Sequence, residues 1–457
     1  MFESINPANG ELLASFAQTA PQALERALDG CVRAQRNWAD STVVSRGDLL
    51  KRLASVLRVD VDRLSRLITL EMGKPLAEAE GEVLKCARCC EYYAENAERF
   101  LAPEFVASGA SRSYVVLDPI GVVLAIMPWN FPLWQFFRFA APSIVAGNGI
   151  LLKHASNVPQ CAQAIESLME KAGAPAGLVR NLFVHHSQVQ SLIDDQRIAA
   201  LTLTGSTAVG SLVASQAGRA LKKQVLELGG SDPFIVLADA DVGQAAQTAV
   251  KARFTNTGQS CVCAKRFIVD DSIADEFVAA MVGGIKRLKV GDPLDRTNAV
   301  GPMARDNLRG DLQSQVDRSV EAGAKLAVGG GSLGGDGYFF EPTLLDHVTP
   351  DMPVFKEETF GPVAAVIRVG DADEAIELAN TSEFGLGAAL WTKDLSRAER
   401  LARRIEAGAV FINGMVASDP RLPFGGIKKS GYGRELGIHG LREFTNVKTV
   451  WIGPAQQ

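Results

Sequence analysis

The sequence predicts an α/β protein with two domains, each built on a mostly parallel sheet. Three observations carry this expectation. From Gly121 onward, short β-rich apolar runs alternate with helical patterns, the mark of βαβ units whose sheet is covered on both faces. The alternation comes in two sets, before and after Gly258. Finally, 457 residues are about two large domains' worth of chain.

A strand-like opening at residues 6–18 precedes three helical patterns, at 21–40, 44–71 and 77–100, each with apolar residues at three- and four-residue spacing. In the first alternating set, strands are expected at 122–126, 150–153, 179–184, 200–204 and 234–237, with helices near 161–171 and 208–221. The apolar stretch 120–152 contains Asn130, Gln135, Arg138 and Asn148 together with Pro128, Pro132 and Pro142, a mixture that a membrane span avoids. It reads instead as a buried strand at 121–127, a turn at 128–132 and an apolar helix running toward Gly147. The second set places strands at 266–269, 363–368, 388–391 and 409–413, with helices near 274–288, 306–322 and 372–379. Residues 102–112 and 329–337 are expected as surface loops or extensions.

Composition excludes several function classes. The 47 Lys and Arg against 52 Asp and Glu give a net charge of -5 with both signs spread along the chain, so no basic field exists to hold nucleic acid. Hydrophobic residues at 47% and 43 glycines exclude a disordered chain and a coiled coil. Residues 1–7 resemble neither a secretory signal nor a transit peptide, so the expected address is cytoplasmic, with no membrane partner. Seven scattered cysteines, an odd number, suit reduced thiols better than a disulfide framework.

Two motif matches fail on context. The run Gly329-Gly330-Gly331-Ser332-Leu333-Gly334 has the spacing of a dinucleotide fingerprint but is followed by an extended aromatic segment with Pro342, so a hairpin loop is expected. Cys86, Cys89 and Cys90 lie within a helical pattern without a second CxxC pair or nearby histidines, and read as packed thiols. The five histidines have no ligand spacing, and no metal is expected.

Three residues suggest chemistry. Cys261 follows a small polar turn, Thr257-Gly258-Gln259-Ser260, where its sulfur can be exposed and the backbone amides of a following helix N-terminus would lower its pKa; a buried structural thiol is the competing reading. Glu227 stands alone between apolar residues at the end of a strand-like run, which suits a general base whose pKa is raised by desolvation. Asn130 lies just past the C-terminal end of a parallel strand, where ligands of open α/β sheets bind, and its amide can donate to a developing oxyanion. A simple turn-forming role is its alternative.

With these in place the chain resembles the NAD(P)-dependent aldehyde dehydrogenase superfamily along essentially its whole length. The motifs are Pro128-Trp129-Asn130-Phe131-Pro132, Thr204-Gly205-Ser206, Leu226-Glu227-Leu228-Gly229-Gly230, Gly258-Gln259-Ser260-Cys261, Glu358-Thr359-Phe360-Gly361-Pro362 and Pro423-Phe424-Gly425-Gly426. The resemblance implies a Rossmann-like cofactor domain at 1–101 and 120–228, an α/β catalytic domain at 229–430, and a small oligomerisation hairpin from segments 102–119 and 431–457, in a homodimer or homotetramer. It makes Cys261 the nucleophile that forms a thiohemiacetal, Asn130 and the Cys261 amide the oxyanion donors, and Glu227 the base that activates water on the thioester.

For the cofactor, the resemblance implies that Lys153 and Glu358 bind the riboses, that Phe360 packs near the nicotinamide with Trp129 and Leu228 close by, and that Gly205 and Ser206 approach the pyrophosphate at a helix start. Ser156 stands where strongly NAD-preferring relatives carry a glutamate, so NADP is expected to be accepted alongside NAD. For the substrate, Arg138 on an apolar helix is expected to be an unpaired cation in need of an anion, with an internal ion pair as the alternative. Its position resembles the arginine that receives the distal carboxylate in succinate semialdehyde dehydrogenases, with Ser418 or Arg421 as the second contact. The expected substrate is a small aldehyde with a remote carboxylate, succinate semialdehyde first. Small neutral aldehydes are the nearest alternative; a cysteine hydrolase lacks a recognisable histidine partner, and a non-catalytic protein would have lost Cys261, Glu227 or Asn130.

Overall fold

The computed structural model describes residues 1–453, which two parallel sheets organise. The first has six strands in the order Gly431–Tyr432, Lys223–Glu227, Ile198–Thr204, Val122–Met127, Gly149–His154 and Val179–Asn181. All neighbours are parallel except the short Gly431–Tyr432 strand, which runs antiparallel to Lys223–Glu227. The strand Val122–Met127 is buried at every position. Val122, Leu124 and Ile126 pack into one apolar cluster and Val123, Ala125 and Met127 into another, as the two-residue period of a strand requires when both faces are covered.

The second sheet has seven strands, ordered Lys325–Val328, Thr343–Asp346, Val363–Val369, Ala264–Asp270, Asp232–Val236, Gly387–Trp391 and Ala409–Ile412. Here the structure corrects one expectation. The run around Phe234, expected in the first set, pairs in parallel with Ala264–Asp270 and Gly387–Trp391 of the second sheet. The chain crosses between sheets at Gly229-Gly230, where a side chain would not fit: a Cβ on Gly229 would lie 2.5 Å from Glu358 Oε2, and one on Gly230 2.7 Å from the Cys261 carbonyl.

The helical pattern at 44–71 is two helices, Val43–Val59 and Val61–Met72, parted at Asp60. The backbone of Asp60 leaves helical geometry, and its carboxylate is held by Arg63 and Lys171. The helix Trp134–Ala146 is buried along its whole length. Gly329-Gly330 begins the connection between two antiparallel strands, Lys325–Val328 and Thr343–Asp346, and not a phosphate-binding helix. Cys86, Cys89 and Cys90 are buried inside the helix Leu76–Leu101. A three-stranded antiparallel sheet joins Thr445–Ile452 to Arg112–Pro119 over eight residue pairs, with Glu104–Phe105 on the far edge. Among the described residues of segment 431–457, only this last strand belongs to the small sheet; Gly431–Tyr432 lies in the first sheet, and the helix Gly437–Glu443 packs on Trp134–Ala146. Among the described residues, no helix is long and apolar enough to cross a membrane.

Candidate active site

The loop before Cys261 is built against backbone preference. Asn256 and Thr257 both have φ near 56°, the left-handed region that non-glycine residues avoid, and each such residue costs on the order of 1 to 3 kcal/mol. Buried hydrogen bonds hold the loop there. Asn256 donates its backbone N–H to Glu78 Oε2 (2.6 Å), and its side-chain amide to the carbonyls of Asn130 (2.9 Å) and Gln259 (3.0 Å). Arg253, fully buried, donates to the carbonyls of Gly258 and Thr359 at 3.1 Å each and also reaches that of Gly361. Gly258 is obligatory, because a Cβ there would lie 2.3 Å from the Gly361 carbonyl oxygen.

Cys261 stands at the exit of this loop, and the next element is the strand Ala264–Asp270. The expected helix N-terminus is therefore absent, and with it the amide array that would lower the thiol pKa. Burial pushes the thiol up to about 12, with the charges of Arg138 and Lys265 working against that shift. Asn130, buried beyond the end of Val122–Met127, donates one amide hydrogen to the Gln259 carbonyl (3.0 Å). Its Oδ1 accepts from Gln135 Nε2 (3.1 Å), which orients the amide and leaves the second N–H of the NH2 group available.

Glu227 is the last residue of the strand Lys223–Glu227 and is 2% exposed. Neither carboxylate oxygen has a hydrogen-bond partner among the described residues, and burial, reinforced by Glu435, holds its pKa well above the usual carboxylate range. Arg138 and Arg434 only partly offset this.

A cavity of about 170 Å³ opens on Cys261 and is walled by Phe131, Trp134, Gln135, Arg138, Val416, Ser418 and Phe424. Arg138 and Ser418 therefore share a space with Cys261, while Glu227 and Asn130 lie outside its lining. Arg138 is not the unpaired cation expected from its apolar helix: it forms an ion pair with Glu435, donates to Thr204 Oγ1 (3.3 Å) and lies 4.5 Å from the centre of the Phe424 ring. Arg421 does not reach the cavity. Its side chain is 73% exposed and pairs with Asp419 two residues back, a contact that its place in an exposed turn makes cheap.

Sequence reading missed Lys85, which lines the same cavity, donates to Ser418 Oγ (2.6 Å) and lies 4.2 Å from the centre of the Trp134 ring. The signal was available: residues 78, 82, 85 and 89 fall on one helix face, which the buried Glu82 and Cys89 show to be packed. It also missed Lys265. This fully buried ammonium donates to the carbonyls of Gly230 (2.6 Å) and Cys261 (3.0 Å) and to Glu358 Oε1 (3.0 Å), joining the cysteine loop to the glycine crossover.

The residues expected at the cofactor lie around the ends of the first sheet. Trp129 and Phe360 meet edge to face with ring centres 5.8 Å apart. Glu358 also accepts from the Gly230 N–H (3.0 Å). Ser206 caps the helix Thr207–Arg219, accepting from the Val209 N–H, and Gly205 precedes it. Leu228 packs onto Gly210 of that helix. Lys153 is the last residue but one of the strand Gly149–His154, a half-buried ammonium whose pKa is lowered by burial with no charged partner among the described residues to oppose the shift, and Ser156 is exposed three residues on. An unmatched ammonium, with no carboxylate at Ser156, fits an anionic dinucleotide.

Comparison with known proteins places the whole chain among known relatives. A model described as the aldehyde dehydrogenase family matches residues 1–450. A protein of Synechocystis, named a probable NADP+ succinate-semialdehyde dehydrogenase, is 49% identical over 449 residues, covering 98% of this chain and 99% of its own length. An Escherichia coli protein named an NAD(P)+ succinate semialdehyde dehydrogenase is 48% identical over 448 residues, covering 98% of this chain and 97% of its own. Among solved structures, the succinic semialdehyde dehydrogenase of Streptococcus pyogenes, in complex with NADP+, superposes with a TM-score of 0.97 at 38% identity, covering 99% of this chain and 100% of that one.

Proposed function

The chain belongs to the aldehyde dehydrogenase family, and from that premise we propose that it oxidises succinate semialdehyde to succinate, with NADP as acceptor and NAD as an alternative. The observation that carries the substrate is that the cavity opening on Cys261 is apolar along its walls but also holds Arg138, Lys85 and Ser418. That combination suits a short carbon chain with an aldehyde at one end and a carboxylate at the other.

Cys261 gives up its proton to solvent and attacks the aldehyde carbon as the thiolate, forming a thiohemiacetal whose oxyanion is held by the free N–H of Asn130 and the Cys261 amide. Gln135 and the Gln259 carbonyl keep the Asn130 amide oriented for this. The bound dinucleotide supplies the hydride acceptor. Lys153 and Glu358 would hold its riboses, Ser206 and Gly205 its pyrophosphate, with Phe360, Trp129 and Leu228 beside the ring. Glu227, whose pKa burial raises, takes up its role as base once it turns toward the thioester and loses its proton to solvent; it then draws a proton from water as the hydroxyl adds to the thioester carbonyl, and passes it to the Cys261 sulfur as the C–S bond breaks and the acid leaves. The three-stranded sheet, with Phe105, Val447 and Trp451 exposed, is the surface through which copies of the chain assemble.

A second reading, oxidation of small neutral aldehydes, is favoured by the Arg138–Glu435 pair, which removes one cation from those free to bind a carboxylate. Initial rates of nicotinamide reduction decide between the two, with succinate semialdehyde and butanal each paired with NAD and NADP, and Cys261→Ala as the control. A preference for butanal would keep the family and discard the substrate.

A further inference from the structure

The cavity beside Cys261 contains two cations in different electrostatic states. Arg138 is matched: Glu435 faces it, both side chains are buried, and Thr204 and Phe424 occupy its remaining surface. Lys85 is not matched. Among the described residues no carboxylate lies within ion-pair distance of its ammonium, whose one hydrogen bond goes to the neutral Ser418 hydroxyl.

Resting on the substrate assigned above, we propose that Lys85, together with Ser418, receives the remote carboxylate and is the specificity-determining residue, whereas Arg138 is a positioning residue that acts through Glu435. An ammonium has three N–H donors, and one is used on Ser418, so two remain for a carboxylate. Because Ser418 accepts from Lys85, its own hydroxyl hydrogen is free to donate to the same carboxylate. The Trp134 ring, 4.2 Å from Nζ, holds the ammonium in place without neutralising it. An aldehyde without a carboxylate gains nothing from this pair and must leave a partly desolvated cation uncompensated.

The charged and titratable groups around Lys85 are few and accounted for. On its own helix, Glu82 is taken by Lys74 and by the backbone N–H groups of Leu133 and Trp134, while Cys86 and Cys89 are neutral thiols. From the helix Trp134–Ala146 comes Arg138, a like charge, from the 415–424 segment comes Asp419, already paired with Arg421, and from the cysteine loop come the Cys261 and Cys263 thiols of the same cavity, whose pKa values burial raises. Burial, and after it the charge of Arg138, lowers the Lys85 ammonium to about 8. A bound carboxylate favours the protonated form, so capture of the carboxylated aldehyde weakens as pH rises past about 8.

The test compares kcat/KM for succinate semialdehyde and for butanal, with NADP, in the unaltered enzyme, Lys85→Met and Lys85→Arg, from pH 6.5 to 9.5. The expected result is that Lys85→Met lowers the ratio of the two specificities by at least about 30-fold, since losing one partner of a buried charge contact is costly, while Lys85→Arg keeps most of it. In the unaltered enzyme the ratio should fall roughly tenfold per pH unit above the Lys85 pKa, and in Lys85→Arg it should stay flat. The pH profile of the unaltered enzyme carries the test even where Lys85→Met fails to fold. A high ratio that survives Lys85→Met, or that does not change with pH, overturns the role of Lys85 and leaves the substrate standing. A ratio near one in the unaltered enzyme overturns the substrate, and this inference with it.

Discussion

Arg138, in the wall of the cavity that opens on Cys261, forms an ion pair with Glu435, and both side chains are almost fully buried. The pair joins the helix Trp134–Ala146 to the segment that follows the Gly431–Tyr432 strand. Removing one partner leaves the other charge buried, at a cost of about 3 to 5 kcal/mol. Glu435→Leu and Arg138→Met are each expected to lower the thermal unfolding midpoint by several degrees, and the double variant to recover most of the loss. Calorimetry on the three variants checks this; a double variant no more stable than either single one would remove the pair from the account. Because the Arg138 charge is matched, Arg138→Met should reduce turnover of succinate semialdehyde and butanal in similar proportion.

Glu227 is the second buried carboxyl beside Arg138, and two carboxyls share one guanidinium there. Its pKa is raised by burial and then by Glu435, so the base form grows as pH rises beyond the usual carboxylate range. Thioester hydrolysis should therefore accelerate with rising pH. Glu227→Gln is expected to keep the first hydride transfer, seen as a burst of reduced nicotinamide, and to lose at least about 100-fold in steady-state rate with a flattened pH profile. Stopped-flow absorbance separates the two phases; an unaltered steady state would exclude Glu227 as the base.

What could be read from the sequence was set by local pattern. The Val122–Met127 strand, the mostly apolar helix after it and the hairpin at Gly329-Gly330 carry their periods and turn residues in consecutive positions, and each stands where pattern puts it. The misses are tertiary. Phe234 reads as one more strand of the first set because nothing local announces that Gly229-Gly230 carries the chain into the second sheet. The helix expected after Cys261 gave way to a strand for the same reason: the small polar turn is held by Glu78 and Asn130 from elsewhere in the chain, and by Arg253 of the helix just before it, not by a helix of its own. Arg138 looked unpaired because its partner lies 297 positions later, at Glu435.

Ser156 offers a test of cofactor choice. It is exposed, three residues beyond Lys153, and a carboxylate there would meet a 2′-phosphate as a like charge and neutralise the ammonium that otherwise pairs with it. Ser156→Glu is expected to raise KM for NADP at least about tenfold while KM for NAD stays within a few-fold, because the cost falls on the phosphate alone. Equal changes in both constants would mean that Ser156 lies away from the adenosine ribose.

The small antiparallel sheet exposes Val447 at 62% and Trp451 at 57%, two positions of the same parity on one strand and therefore on one face. Phe105, 64% exposed, is a third large apolar side chain but lies on the opposite face of the sheet, because it pairs through Tyr114 with Val450. Exposed apolar side chains gathered on one small sheet mark a surface that another protein covers, and a second copy of the chain is the partner proposed for it. Val447→Asp with Trp451→Asp would place two like charges in that contact and, in a symmetric pair, four, whose desolvation has no compensating partner. Light scattering after gel filtration should give a multiple of the chain mass for the unaltered protein and a shift toward one chain for the double variant. A single-chain mass in the unaltered protein, or an unshifted multiple in the variant, would place the assembly surface elsewhere.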